Sequence, residues 1–154
     1  MRLEKRRRWL VVPLTLCLLV SAPAQDGPAE TASRVRELAR ALVSAKSQEE
    51  RAALLASKKQ LVTPDLRKQL IAEGNTFLAE GKYAEASGVY ELAGRVAEQI
   101  NDAEGVAAVS LNVGTVHYLQ GNYERALASY QKARQLFEQR NDRAEVGRAF
   151  AGSG

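Results

Sequence analysis

Cysteine and histidine are residue types that often act as nucleophile, general base or metal ligand, and each occurs once in the 154-residue sequence, as Cys17 and His117. The sequence has no recognisable nucleophile–base–orienter set, no GxxxxGK phosphate loop and no HxxEH zinc helix. Gly74-Asn75 and Gly114-Thr115 lie inside predicted helices, where they cannot form a phosphate cradle. The sequence therefore predicts no catalytic residue, no cofactor and no metal, and it indicates that the chain is not an enzyme.

The charge of the chain is concentrated at one end. The formal net charge is +4, and residues 1–24 carry five basic side chains and one acidic side chain. Residues 25–154 carry 17 basic and 17 acidic side chains, so their net charge is zero. Because a basic field is absent after residue 24, the pattern argues against nucleic acid and anionic membranes as partners.

The first 24 residues have the layout of a secretory signal peptide. Met1–Arg8 is basic, Trp9–Val20 is apolar apart from one threonine, and Ser21–Ala24 offers the small residues of a cleavage site. The alternative is a membrane anchor, but the twelve residues of the apolar run cover about 18 Å of a hydrocarbon core about 30 Å thick. We expect cleavage after Ala24 and a periplasmic or extracellular bacterial protein, by either the general or the twin-arginine export route.

Residues 25–62 predict a short linker and a helical hairpin. An apolar stripe at helical spacing indicates a first helix, and Ser47-x-x-Glu50 is a capping box that opens a second helix. Thr63-Pro64 follows as a start signal, with a hydroxyl N-cap and proline at the first helical position. The first stripe consists of Val35, Leu38, Ala39 and Leu42, and the second helix has Ala52, Leu55 and Ala56 on one side.

The chain from residue 63 repeats itself every forty residues. A shift by forty places small and aromatic residues on residues of the same type, which indicates a packed helix pair that occurs more than once. The matching pairs are Gly74/Gly114, Gly81/Gly121, Tyr83/Tyr123, Ala86/Ala126, Tyr90/Tyr130, Ala93/Ala133, Glu98/Glu138, Gln99/Gln139, Asn101/Asn141, Asp102/Asp142 and Val106/Val146.

Each position of the repeat suggests a packing role. Gly114 is expected to let its helix approach Ala126 of the next helix, and Gly121 to end the first helix with a positive φ. Tyr123 is expected to cap this turn, and Tyr130 and Ala133 to pack on the following unit. Glycines that do not recur have no such role, which predicts a mild or stabilising effect for Gly105→Ala. The other two glycines between residues 63 and 140 that do not recur are Gly88 and Gly94.

Residues 67–100 and 107–140 resemble tetratricopeptide repeats. Both follow the pattern G-x6-G-x-Y-x2-A-x3-Y-x2-A, although a glutamate replaces the closing proline and the period is forty rather than thirty-four. The resemblance implies an all-α fold, an α-solenoid of antiparallel helix pairs in a right-handed superhelix, with the hairpin before it. His117 stands at the position where the family has a packing aromatic residue, so we expect this histidine to lie in the core. A third repeat is expected to begin at 141, so that 63–154 form one array at the front of a longer protein.

The resemblance further implies a groove lined by the first helix of each pair, which binds a protein or peptide. Three hypotheses follow: an exported, non-catalytic scaffold, the regulatory N-terminal part of a larger exported enzyme such as a CHAT-type peptidase, or a structural spacer or oligomerisation element. Only Lys68, Asn75 and Asn112 suggest the family's carboxylate clamp, so no clamp is predicted. The predicted groove residues are Lys68, Ile71, Asn75 and Leu78 in the first unit, and Ala108, Leu111, Asn112, Thr115 and Tyr118 in the second.

The layout of the first 24 residues generates a prediction about the mature protein. Export should remove Met1–Ala24 and leave Gln25 as the new N-terminus. The intact mass of secreted material measures this directly. Mature protein that retains Met1 would contradict it.

Overall fold

A computed structural model describes residues 27–139, and over this range the protein is helical. Both the all-α class and the solenoid of helix pairs that the sequence predicts are confirmed, and no strand occurs within the described range. No helix between residues 27 and 139 is both long and apolar enough to cross a membrane. The helices are α1 (Pro28–Ser44), α2 (Gln48–Ser57), a 3-10 turn (Lys59–Leu61), α3 (Pro64–Ala79), α4 (Tyr83–Gln99), α5 (Ala103–Leu119) and α6 (Tyr123–Gln139).

Two helix starts follow the predicted chemistry in part. The Ser47 hydroxyl accepts the Glu50 N–H at 3.1 Å, but the Glu50 carboxylate accepts the N–H of Lys46 rather than that of Ser47, at 2.9 Å. Thr63 is the N-cap of α3 and is followed by proline, as predicted. Its hydroxyl does not cap the helix, however, because it donates backwards to the Leu61 carbonyl at 3.4 Å. The proline and the extended backbone at Thr63 therefore mark this start without a side-chain cap.

The turn inside each helix pair depends on a glycine with positive φ. Gly81 has a φ of 73° and Gly121 a φ of 75°, a conformation that glycine adopts without a steric penalty. The N–H of Gly121 donates to the Tyr118 carbonyl at 2.9 Å, and the N–H of Asn122 to the His117 carbonyl at 2.8 Å. These bonds satisfy carbonyl groups that the helix end would leave open. The role predicted for Gly121 is confirmed.

Helices α3 and α4 form the first pair, helices α5 and α6 form the second, and α4 packs against α5. Helix α1 packs against α3 and contributes the predicted stripe to the core, since all four of its stripe residues are buried. Helix α2 is less embedded. Leu55 packs partly against the core, while Ala52 and Ala56 are exposed, so only part of its predicted apolar side is covered.

A glycine and a tyrosine ring set the spacing of each pair. A Cβ atom on Gly74 would lie 2.5 Å from Cε1 of Tyr90, and one on Gly114 would lie 2.6 Å from Cε1 of Tyr130. Both rings are buried. The sequence predicts that Gly114 admits Ala126 and that Tyr130 packs on the next unit. The ring of Tyr130 packs on Gly114 of its own pair, because a side chain at residue 114 would occupy the ring's place. The unit on which Tyr130 is predicted to pack follows residue 139 and lies outside the described residues.

Gly105 has a packing role that recurrence does not show. A Cβ there would lie 2.5 Å from Cδ of Arg67 and 2.7 Å from Oδ2 of Asp102. Arg67 and Asp102 form an ion pair of 2.9 Å between Nε and Oδ2, with side chains 9% and 16% exposed. The other carboxylate oxygen of Asp102 accepts the N–H of Gly105 at 2.8 Å. The prediction of a mild Gly105→Ala is therefore wrong, since a methyl group would collide with this ion pair.

The contact between Gly114 and Tyr130 predicts a costly substitution. Gly114→Leu should push α5 and α6 apart and destabilise the protein by about 1–3 kcal/mol or more, because the core would be overpacked. Gly88→Ala is the matched control, since a Cβ at Gly88 meets nothing within 4 Å. Alanine there should raise stability by up to about 1 kcal/mol through helix propensity. Urea denaturation followed by circular dichroism measures both, and equal effects would contradict the proposed packing.

The buried ion pair generates a second stability prediction. Asp102→Ala should destabilise the protein by about 3–5 kcal/mol, because it leaves the Arg67 guanidinium buried without its partner. Arg67→Met combined with Asp102→Asn should lose much less, since neither charge then remains and asparagine can still accept the Gly105 N–H. A double-mutant cycle from denaturation data, built from Arg67→Met, Asp102→Asn and the two combined, tests this. Additive losses would show that the two side chains do not act as a pair.

Candidate protein-binding groove

The predicted groove residues lie on α3 and α5, the first helices of the two pairs. These helices contact each other directly, so the structure brings the two sets of residues onto neighbouring elements. Within each helix the steps of three and four residues place the set on one face. Lys68, Ile71, Asn75 and Leu78 follow this spacing on α3, and Ala108, Leu111, Thr115 and Tyr118 follow it on α5, with Asn112 beside Leu111.

The groove residues differ in how much they face solvent. Lys68, Asn75 and Tyr118 are exposed, and the other six are half-buried. Of the half-buried set, Ile71 and Leu78 pack against the larger core cluster. Leu111 packs against a smaller cluster formed by Ala107, Ala133 and Phe137. These three aliphatic residues thus serve the fold as well as the groove face.

Asn75 and Thr115, which occupy the same position of the forty-residue register, connect the groove to the core. The Tyr90 hydroxyl donates to Oδ1 of Asn75 at 2.6 Å, and the Tyr130 hydroxyl lies 3.5 Å from the Thr115 hydroxyl. Burial raises the pKa of Tyr90, so this hydroxyl stays protonated and can donate. The Thr115 hydroxyl donates in turn to the Leu111 carbonyl at 3.1 Å. Asn75 and Thr115 therefore anchor the buried rings in addition to their predicted place in the groove.

The groove face carries little charge. Lys68 is its only ionisable member with a charge at neutral pH, and its ammonium group lies 3.5 Å from the carboxylate of Asp65. Both side chains are more than half exposed, so the pair contributes little to stability. The first turns of α1 border this end, because Pro28, Thr31 and Val35 line a cleft together with Lys68. The remaining groove residues offer amides, a hydroxyl, aliphatic groups and a phenol ring.

The opposite end of the groove is apolar and exposed. We name Tyr118, Leu119, Tyr123 and Leu127 the Tyr118 patch; their exposed fractions are 55%, 48%, 65% and 41%. The rings of Tyr118 and Tyr123 meet edge to face, with centroids 5.6 Å apart and planes at 62°. The sequence predicts Tyr118 as a groove residue, whereas it assigns Tyr123 to the turn and overlooks both leucines. A comparison of residue types between the two units would have found them.

His117 is half-buried in the last turn of α5, as predicted for a core position. Its Nδ1 atom is shielded from solvent and has no hydrogen-bond partner within the described range. Among residues 27–139 no three His, Cys, Asp or Glu side chains come together in a way that would hold a metal ion. Cys17, the remaining candidate from the sequence, lies outside the described residues, as do the signal segment and the expected third repeat.

Comparison with known families agrees with the helix pairs. Residues 70–139 match the family model of the tetratricopeptide repeat. This range runs from within α3 to the end of α6, so it covers nearly all of both pairs. A search of the curated proteins finds no match to the chain.

Residues 70–139 are therefore tetratricopeptide repeats. Tetratricopeptide repeats generally act as non-catalytic scaffolds in protein–protein interactions, and this family membership suggests the same role for the two helix pairs described here. The groove on α3 and α5 is the surface at which such an interaction is predicted.

Proposed function

We propose that this protein is an exported scaffold that binds an extended segment of a protein partner along α3 and α5. The observation that carries the proposal is that these two helices lie next to each other. Each presents a face of mixed polar and apolar side chains, and the repeat family to which they belong generally serves as an interaction scaffold. The face contains the amide of Asn112 and the exposed ring of Tyr118. A peptide that lies across the helices can form hydrogen bonds with the amide and pack against the ring.

The chemistry of the face supports recognition at short range. Side-chain amides can donate to and accept from the backbone of an extended peptide. An exposed tyrosine is a rigid anchor with an apolar body and a polar end, and tyrosine is enriched at the energetic centres of protein interfaces. Since residues 25–154 carry equal numbers of both charges, long-range attraction contributes little. Affinity should therefore depend on contacts in the groove.

The exported location is a proposal from the sequence alone. It rests on the basic, apolar and small-residue layout of residues 1–24, which lie outside the described residues. A partner should accordingly be sought among exported proteins. The proposed role is non-catalytic, because the groove residues of α3 and α5 offer binding groups and no arrangement of nucleophile and base.

Substitutions in the groove test this function. Tyr118→Ala and Asn112→Ala should each weaken partner binding by about 1–2 kcal/mol, because each removes a contact group from the groove. Helicity should stay unchanged, as circular dichroism can verify. The measurement is calorimetric titration with a partner isolated by pull-down from exported proteins.

Lys59→Ala is the matched control for these titrations. Lys59 is exposed in the 3-10 turn, outside the groove face, so its loss should change binding little. Weaker binding by the Lys59 variant with unchanged binding by both groove variants would show that the partner binds elsewhere.

A further inference from the structure

The exposed large apolar residues of the described range are not scattered. Within residues 27–139 the four members of the Tyr118 patch are the large hydrophobic side chains that remain exposed, and all four lie in the last turn of α5 or on the first two turns of α6. Tyr123 and Leu127 are one helical turn apart and share a face. The rings of Tyr118 and Tyr123 are in contact, and exposed apolar side chains that group together in this way mark interaction sites in soluble proteins.

At most of these positions the second repeat has larger apolar side chains than the first. In the forty-residue register, Leu78, Ala79 and Ser87 of the first unit are replaced by Tyr118, Leu119 and Leu127 in the second. Tyr83, the counterpart of Tyr123, is half-buried against the larger core. The second unit thus has larger apolar groups where they are exposed. Internal packing does not require this change, because the first unit forms the same helix pair without it.

The surroundings of the patch are electrically neutral. The turn itself contributes Gln120, Gly121 and Asn122, and the next residues, Glu124 and Arg125, carry opposite charges. The adjoining groove has Lys68 as its one charged side chain, which already faces Asp65. An acidic or basic ligand would therefore find no complementary field at this end of the groove.

We propose that the Tyr118 patch is the anchoring subsite of the groove and that it takes an aromatic or branched aliphatic side chain from an uncharged, extended segment of the partner. This inference rests on the proposed function of the groove and adds the partner's chemistry. The two tyrosine rings supply apolar surface for such a side chain, and their hydroxyl groups can bond to the adjacent peptide backbone.

The size of the patch favours a single inserted side chain over a second copy of the chain. Four side chains that are about half exposed offer on the order of 400 Å² of surface. A stable dimer requires about 800 Å² from each partner, so the patch is too small to form that interface alone. A side chain of the partner, held by backbone contacts along α3 and α5, needs no larger area.

The experiment selects ligands from a display library of random linear twelve-residue peptides, with the full chain as the target. The dissociation constant of the best peptide is then measured for the wild type and for Tyr123→Ala, Leu127→Ser and Asn112→Ala. Gln131→Ala serves as the matched control, since Gln131 is exposed on the same helix, α6, outside the patch. Tyrosines labelled with fluorine report by NMR which rings the peptide contacts, and Tyr83, which is half-buried on α4 outside the groove, is the internal reference.

We expect the selected peptides to be poor in Asp and Glu and to share one aromatic or branched aliphatic residue. Tyr123→Ala and Leu127→Ser should each weaken binding at least tenfold, and Gln131→Ala less than twofold. The fluorine signals of Tyr118 and Tyr123 should shift during titration, and that of Tyr83 should stay in place.

Three results would overturn the inference, and they separate it from the proposed function. If Asn112→Ala weakens binding while both patch variants bind like the wild type, the groove binds peptides and the anchor lies elsewhere. If no enriched peptide depends on the patch or on Asn112, the proposed function fails as well. If sedimentation shows a dimer that Tyr123→Ala or Leu127→Ser dissociates, a second copy occupies the patch.

Discussion

The contact between a helix glycine and a tyrosine ring is the constraint on which the architecture of both pairs depends. Gly74 and Gly114 leave room for the rings of Tyr90 and Tyr130, which are buried between the two helices of each pair. A side chain at either glycine would fill the space of the ring and separate the helices. The helix tolerates a glycine that costs about 1 kcal/mol in propensity because the packed aromatic offsets it.

This contact also links the core to the predicted groove face. The hydroxyl group of Tyr90 reaches Asn75 on the groove face, and that of Tyr130 lies near Thr115 at the same register position. The rings that set the distance between the helices therefore also position the polar side chains of the groove face. A peptide that binds there would meet a surface whose polar groups are partly fixed before it arrives, which lowers the entropic cost of binding.

The sequence predicts the features that recur and misses those that occur once. Repetition revealed the helix pairs, the positive φ of Gly121 and the importance of Gly114. The role of Gly105 does not follow from repetition, because Arg67, which packs against it, aligns with Ala107 in the forty-residue register. The ion pair of Arg67 with Asp102 therefore has no counterpart one unit later. The exposed patch was overlooked for the related reason that exposure depends on tertiary packing, which spacing along one helix does not report.

The central claim is that a partner lies along α3 and α5 rather than on the outer helices. Hydrogen–deuterium exchange of the full chain, with and without its bound partner, tests this most directly. Backbone amides exchange more slowly where a bound ligand hinders local opening of a helix. The account predicts slower exchange in α3, α5 and the α5–α6 turn, with α4 and the C-terminal half of α6 unchanged. Protection confined to α4 and α6 would contradict it and would place the partner on the opposite face of the repeats.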